Sequence, residues 1–143
     1  LQAEVFSSFA YASSSKPEQK PAVVLEDTIY QMRVYELVGK NKAAFYERFY
    51  KYAVPIMRSY GFDIVEMWEV QSKQKTEFIY VLRWSSEMTM RQQWRRFRAD
   101  PEWLAVVRDS KRKYGEVVSH IEERQMRSIV YSRWDGSNRL ITR

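Results

Sequence analysis

Arg33 and Tyr35 stand two residues apart in IYQMRVYELV (Ile29–Val38), so on an extended chain both side chains leave the same face. A guanidinium can hold a carboxylate bidentately and a phenol can orient a carbonyl, which makes this pair a candidate ligand clamp or, equally, a barrel-filling interface pair. Glu66 and Trp68 share a face by the same parity. Glu66 either pairs with Arg33 as a structural ion pair or, unpaired in an apolar cavity, acts as a base of raised pKa. His120 is the single histidine of the chain, and the only side chain type whose unperturbed pKa lies near neutrality. It reads as a general base or haem ligand, or as an ordinary hydrogen-bonded histidine. With Tyr80, these residues (Arg33, Tyr35, Glu66, Trp68 and His120) are the candidate lining of an aromatic cavity.

Several chemistries are excluded. No cysteine is present, so there is no thiol nucleophile, disulfide or thiolate metal site. One histidine leaves a metal site to carboxylates alone, and neither a metal nor a cofactor is expected. Glu122 and Glu123 are adjacent and face opposite ways on a strand, as do Glu66 and Glu69, so a facing carboxylate pair does not form. The four glycines, Gly39, Gly61, Gly115 and Gly136, are scattered rather than clustered around a phosphate, and no Gly-x-Ser-x-Gly elbow exists.

The elements that must position the candidates follow from hydrophobic periodicity. The chain has 143 residues, 45% hydrophobic and 29% charged, which is ordinary usage for one globular domain. No apolar run approaches the roughly 20 residues of a spanning helix, so no transmembrane segment is expected. Residues 1–27 read as a flexible N-terminal segment. Ala10-Tyr11-Ala12 suggests the stub of an export (periplasmic) or organelle-targeting signal, or a frayed terminus, and SSSKPEQKP (Ser13–Pro21) reads as a linker. The folded domain is expected over 28–131, with 132–143 as a tail carrying an Asp135-Gly136 turn.

Within the domain, Ile29–Val38 alternates as a strand. Gly39 breaks it, Asn41 is placed to cap a helix, and Phe45, Phe49, Tyr52 and Ile56 recur at helical spacing, with a kink expected at Pro55 and an end at Gly61. Phe62–Gln71 and Glu77–Trp84 alternate around SKQKT, a long hairpin. Ser85 or Ser86 caps a helix with Met90, Trp94 and Phe97 inward. Asp100-Pro101 opens another, with Trp103, Leu104 and Val107 inward until Gly115. A last strand lies in Val117–Tyr131. The order β-α-β-β-α-(α)-β is the split βαβ arrangement of a ferredoxin-like α+β protomer with a four-stranded antiparallel sheet. One sheet face is covered by helices. The other is expected to carry Tyr35, Trp68, Tyr80 and Leu82, an aromatic patch that needs a cover.

The formal net charge is +6. Much of it is local, with nine basic against four acidic residues between Arg83 and Lys113, on segments read as helices. Such a stripe is either a solvated helix face or an attractor of anions.

Tyr30–Tyr35 (YQMRVY) is similar to the YELRxY opening of NIPSNAP-family proteins. AVPIMRSYGF (Ala53–Phe62), the Arg-rich MRQQWRRFRA (Met90–Ala99) and the DPEW that follows (Asp100–Trp103) resemble the same family over about residues 29–130. The chain departs from that pattern at Gln31 and Met32 and in the charged SKQKT turn. The resemblance implies a dimeric α+β barrel, in which two protomers close their open sheet faces on each other. It carries no catalytic roles. It implies a protein of uncharacterised role, read here as a homodimeric binding or interaction module for a small apolar or aromatic ligand. The enzyme alternative is a cofactor-free monooxygenase or isomerase acting on a small aromatic or lactone, for which Arg33, Glu66 and His120 must converge on one unfilled space. RNA binding is a third reading, with Phe78, Tyr80 and Trp84 as stacking rings. The third strand lacks the basic-Gly-aromatic-Gly signature, which counts against nucleic acid.

Overall fold

The β-branched and aromatic runs form four strands in a computed structural model of the chain, which describes residues 22–132. These are β1 (Ala22–Leu37), β2 (Asp63–Gln71), β3 (Thr76–Trp84) and β4 (Val118–Ser132). The sheet order is β2-β3-β1-β4. β1 pairs antiparallel with β3 from Ile29↔Trp84 to Leu37↔Thr76, and β2 pairs antiparallel with β3 across the Ser72–Lys75 turn. With helices α1 (Lys42–Arg48), α2 (Val54–Ser59), α3 (Glu87–Ala99) and α4 (Pro101–Tyr114), this is the expected ferredoxin-like α+β arrangement. Leu25–Ile129 forms one compact unit, and the described strand residues 22–24 and 130–132 fall outside it. The signal stub, the Ser13–Pro21 linker and the Asp135-Gly136 turn lie outside the described residues. β1 begins at Ala22, inside the segment read as flexible, because AVVLEDT is itself rich in β-branched residues. Among the described residues no helix is long and apolar enough to cross a membrane.

Local chemistry sets the helix ends. The Ser86 hydroxyl accepts from the Thr89 N–H at 3.1 Å and opens α3. The Asp100 carboxylate accepts from the Trp103 N–H at 2.9 Å, with Pro101 in the first turn of α4. Pro55 does not produce a simple kink. A π-helical turn, Phe49–Ala53, precedes it, and the wider loop accommodates a ring that would crowd the carbonyl of Lys51. Gly61, at φ +76°, ends the helix as expected. Two expectations fail. Asn41 does not cap α1: its Nδ2 donates instead to the Tyr114 and Glu116 carbonyls at 2.9 and 2.8 Å, fastening the chain after α4. Leu104 is exposed, because α4 packs on α1, the π turn and α3 rather than on the sheet, and one turn of it points outward.

Asp100 also accepts the Tyr60 hydroxyl at 2.7 Å. The Trp103 N–H first, and then the Tyr60 hydroxyl, hold this carboxyl below the usual carboxylate range. Glu69 is held low by Lys42 and then Tyr46. A depressed carboxylate contributes stability that is complete above its unfolded pKa of about 4 and is lost as pH falls through the lower folded value. The thermal midpoint of Asp100→Asn is therefore expected to fall less steeply than that of the parent below about pH 4. Parallel acid limbs would show that the carboxylate contributes nothing.

The helix-covered face of the sheet carries Ile29, Gln31, Arg33, Tyr35 and Leu37 from β1 and Phe78, Tyr80, Leu82 and Trp84 from β3, all buried. Packed over them are Phe45, Phe49, Ile56 and Met57 from the first helical stretch and Met90, Trp94 and Phe97 from α3. The open face carries Met32, Val34, Ile79 and Val81, with Trp68 opposite Ile79. Tyr35, Tyr80 and Leu82 were expected on this open face and lie on the other. Strand parity groups residues without naming the side that receives the helices, and on β3 both sides are apolar. A register irregularity between Ile64 and Glu66 also divides β2, so Ile64 faces the helices while Glu66 and Trp68 face outward.

Candidate functional site

Two polar residues, Gln31 and Arg33, sit inside this aromatic core, 1% and 7% exposed. β1 places both beneath α3. The Gln31 Oε1 accepts from two indoles at once, Trp84 Nε1 at 3.0 Å and Trp94 Nε1 at 2.7 Å. Arg33 donates from Nη1 to Glu123 at 2.8 Å and from Nη2 to the Tyr35 hydroxyl at 3.1 Å. The Tyr35 and Tyr80 hydroxyls are hydrogen-bonded at 2.9 Å. The Arg33 guanidinium carbon lies 4.6 Å from the Trp94 ring centroid, and that of Arg98 lies 5.0 Å from the same ring. The Arg33 Nε is buried and has no hydrogen-bond partner among the described residues.

Electrostatics fixes the protonation of this cluster. Burial works against the Arg33 charge, but the Tyr35 and Tyr80 oxygens outweigh it, so the guanidinium stays charged. Burial first, then Tyr35, pushes the Tyr80 phenol well up, so it is neutral at physiological pH. The assembly is a guanidinium held between one carboxylate and two phenols, with Glu123, 36% exposed at its side chain, as the only member reaching solvent substantially.

The cluster borders an open groove of about 550 Å³ between α3 and β4. Gln31 and Trp94 form its floor, Arg91, Arg95 and Arg98 one wall, and Glu123 the other. A second cavity of about 350 Å³ lies between α1 and α4 around Arg48, whose Nη1 donates to Ser110 at 3.4 Å. Glu47, Glu102 and Asp109 balance the cations of that cavity.

Of the six candidate residues, Arg33, Tyr35 and Tyr80 are brought together in the buried cluster. Glu66 and Trp68 lie on the opposite sheet face. His120 is exposed, 3.8 Å from Glu122, and alternates along β4 away from Glu123. Glu66 therefore does not pair with Arg33; Glu123 does, because β4 rather than β2 is the neighbour of β1. Arg33, Glu66 and His120 do not converge within one chain. Phe78, Tyr80 and Trp84 are buried and cannot stack on bases. Sequence reasoning missed Gln31, Trp84, Trp94, Arg98 and Glu123. Gln31 was within reach, since it shares its parity with Arg33 on a strand whose next apolar neighbours pack inward.

A family model, NIPSNAP, matches residues 30–133, which contain the whole cluster and both groove walls. The chain belongs to the NIPSNAP family. Solved NIPSNAP structures share its fold. A NIPSNAP family protein of unknown function from Agrobacterium tumefaciens is 20% identical, with 71% of this chain and 87% of that one covered at a TM-score of 0.61. An uncharacterised NIPSNAP-like domain protein from Burkholderia xenovorans is 14% identical, covering 81% and 93% at 0.60. A further Agrobacterium tumefaciens NIPSNAP protein is 12% identical, covering 69% and 90% at 0.60. No curated protein matches the chain.

Proposed function

We propose that this NIPSNAP protein is a homodimeric small-molecule-binding module, with its protomers covering each other's open sheet faces and its ligand seated in the groove between α3 and β4. The observation that carries the reading is the buried polar cluster opening onto that groove. A buried guanidinium with its carboxylate adds little stability over apolar side chains of the same volume, so recognition is a better reason for its place in an aromatic core. The groove's volume lies within the range of about 300–1,000 Å³ typical of small-molecule sites. Separation of Arg33 from Glu66 and His120 favours binding over the oxygenase or isomerase reading, which needs all three around one substrate.

The dimer is supported by the open face. Met32, Val34, Ile79 and Val81 form its centre, and Trp68 and Val70 beside them are 47% and 42% exposed. A contiguous apolar face of this kind marks an interaction surface.

Native mass spectrometry of the untagged protein from its own source tests both parts. A dimer that retains a small-molecule mass is the expected result. Ile79→Asp, which puts a charge at the centre of the face, is expected to give a folded monomer. A parent protein that is monomeric at micromolar concentration would sink the dimer, and an empty dimer unaffected by any small molecule would sink the binding role.

A further inference from the structure

We propose that the groove between α3 and β4 takes a phosphate monoester of a hydroxylated body, with its phosphoryl group seated between Arg95 and Arg98. The inference rests on the binding reading above and adds the chemistry of the ligand. Arg91, Arg95 and Arg98 line the groove against the single carboxylate of Glu123. Glu87 engages Arg91, and the Glu123 carboxylate is engaged by Arg33. Among the described residues no carboxylate pairs with Arg95 or Arg98. The wall formed by α3 is therefore positive beyond what the protein itself neutralises.

Neighbouring turns of α3 bring the two unanswered cations together. Residues three or four apart on a helix lie side by side, with about 5–6 Å between their Cβ atoms, so Arg91, Arg95 and Arg98 make one stripe of like charge. Like charges at that spacing repel, and an anion between them relieves the repulsion. Arg98 is also anchored: its guanidinium carbon lies 5.0 Å from the centroid of the Trp94 ring. That contact holds the group and consumes none of its N–H donors.

The number of acceptors selects phosphate over carboxylate. One guanidinium fork occupies both oxygens of a carboxylate, which leaves the second arginine unanswered. A phosphate monoester carries a charge of about −1.5 to −2 near neutral pH and three terminal oxygens, enough for both forks at once. The opposite wall decides what the phosphate is attached to. The groove holds about 550 Å³, far more than a bare phosphate fills, and across from the arginines it offers the Gln125 amide and the Glu123 carboxylate. Glu123 accepts from Arg33 through Oε2, and its Oε1 is left for another donor. Hydroxyl groups answer both an amide and a carboxylate oxygen; an apolar body answers neither.

Isothermal titration of the full chain with glucose 6-phosphate, glucuronate, glucose and inorganic phosphate separates these terms. An ionic strength of about 0.15 M screens diffuse attraction beyond about 8 Å. Glucose 6-phosphate is expected to bind at least about tenfold more tightly than the other three, the worth of one further charge-assisted hydrogen bond. Arg95→Gln, on the exposed side of α3, should bring it down to the level of glucuronate. Arg108→Gln removes the same charge from α4, outside the groove, and should leave it unchanged. Glucuronate binding as tightly as glucose 6-phosphate would overturn the two-arginine seat, and inorganic phosphate doing so would overturn the hydroxylated body. An equal loss from Arg108→Gln would reduce the effect to net charge and overturn the site.

Vesicles of phosphatidylcholine carrying phosphatidylinositol 4-phosphate present the same chemistry from a lipid. Binding there that exceeds glucose 6-phosphate and is lost in Arg95→Gln assigns the seat to a headgroup; binding of the sugar phosphate alone assigns it to a soluble ligand. If neither source bound, this inference would fall. A small-molecule mass retained by the native protein would then leave the binding reading standing, and an empty protein would take that reading down as well.

Discussion

Gln31→Leu is expected to lower the free energy of unfolding by about 2–6 kcal/mol, although the replacement is apolar and close in size. The reason is the two indoles it abandons. Trp84 and Trp94 are 2% and 5% exposed and both give their only polar hydrogen to the Gln31 carbonyl. Each buried donor left without an acceptor costs about 1–3 kcal/mol. Trp84→Phe together with Trp94→Phe removes the orphaned donors, so Gln31→Leu made on that background should cost far less than on the parent. Urea unfolding of the four variants gives this coupling directly. A Gln31→Leu loss below about 1 kcal/mol would mean that solvent or another acceptor reaches the indoles, and the cluster would not be a dry one.

Phe78→Ala is the second large effect, expected at about 3–5 kcal/mol. Phe78 is 1% exposed at the meeting point of five other rings. Phe49 lies 4.7 Å from it edge-on, Phe45 5.2 Å, Tyr80 5.6 Å, Tyr46 5.8 Å and Tyr35 6.4 Å. Deletion of the central ring leaves a cavity that rings fixed to β1, β3 and the first helical stretch cannot fill by collapse. Its sequence neighbour Ile79 points to the other side of the same strand. Ile79→Ala should therefore change protomer stability little and act on dimer formation instead. A comparable loss from both substitutions, measured at a protein concentration below dimer formation, would contradict this division between a helix-packed face and an open one.

The two faces also show where sequence reasoning reached and where it stopped. Strand and helix identities were legible because they depend on local periods: the alternation of Ile29–Val38, the spacing of Met90, Trp94 and Phe97, the Ser86 and Asp100 caps, and the positive φ of Gly61. The ferredoxin-like order follows from those elements alone. Arg33 and Tyr35 were recognised as a same-face pair for the same reason, and they are hydrogen-bonded to each other. Asn41 misled because a cap residue and a residue that ties two loops carry the same side-chain chemistry; only the position of α4 decides between them.

The sequence by itself determined the elements, their order, the family and the absence of thiol chemistry. Only the tertiary structure decided that Arg33 finds Glu123 rather than Glu66, that Tyr80 lies under the helices, and that His120 stands apart. The physical reason is that parity along a strand is a local property, whereas the side on which helices pack and the strand that becomes the neighbour are set by contacts between residues far apart in the chain. Arg33 and Glu123 are separated by 90 positions, and no period shorter than the fold itself connects them.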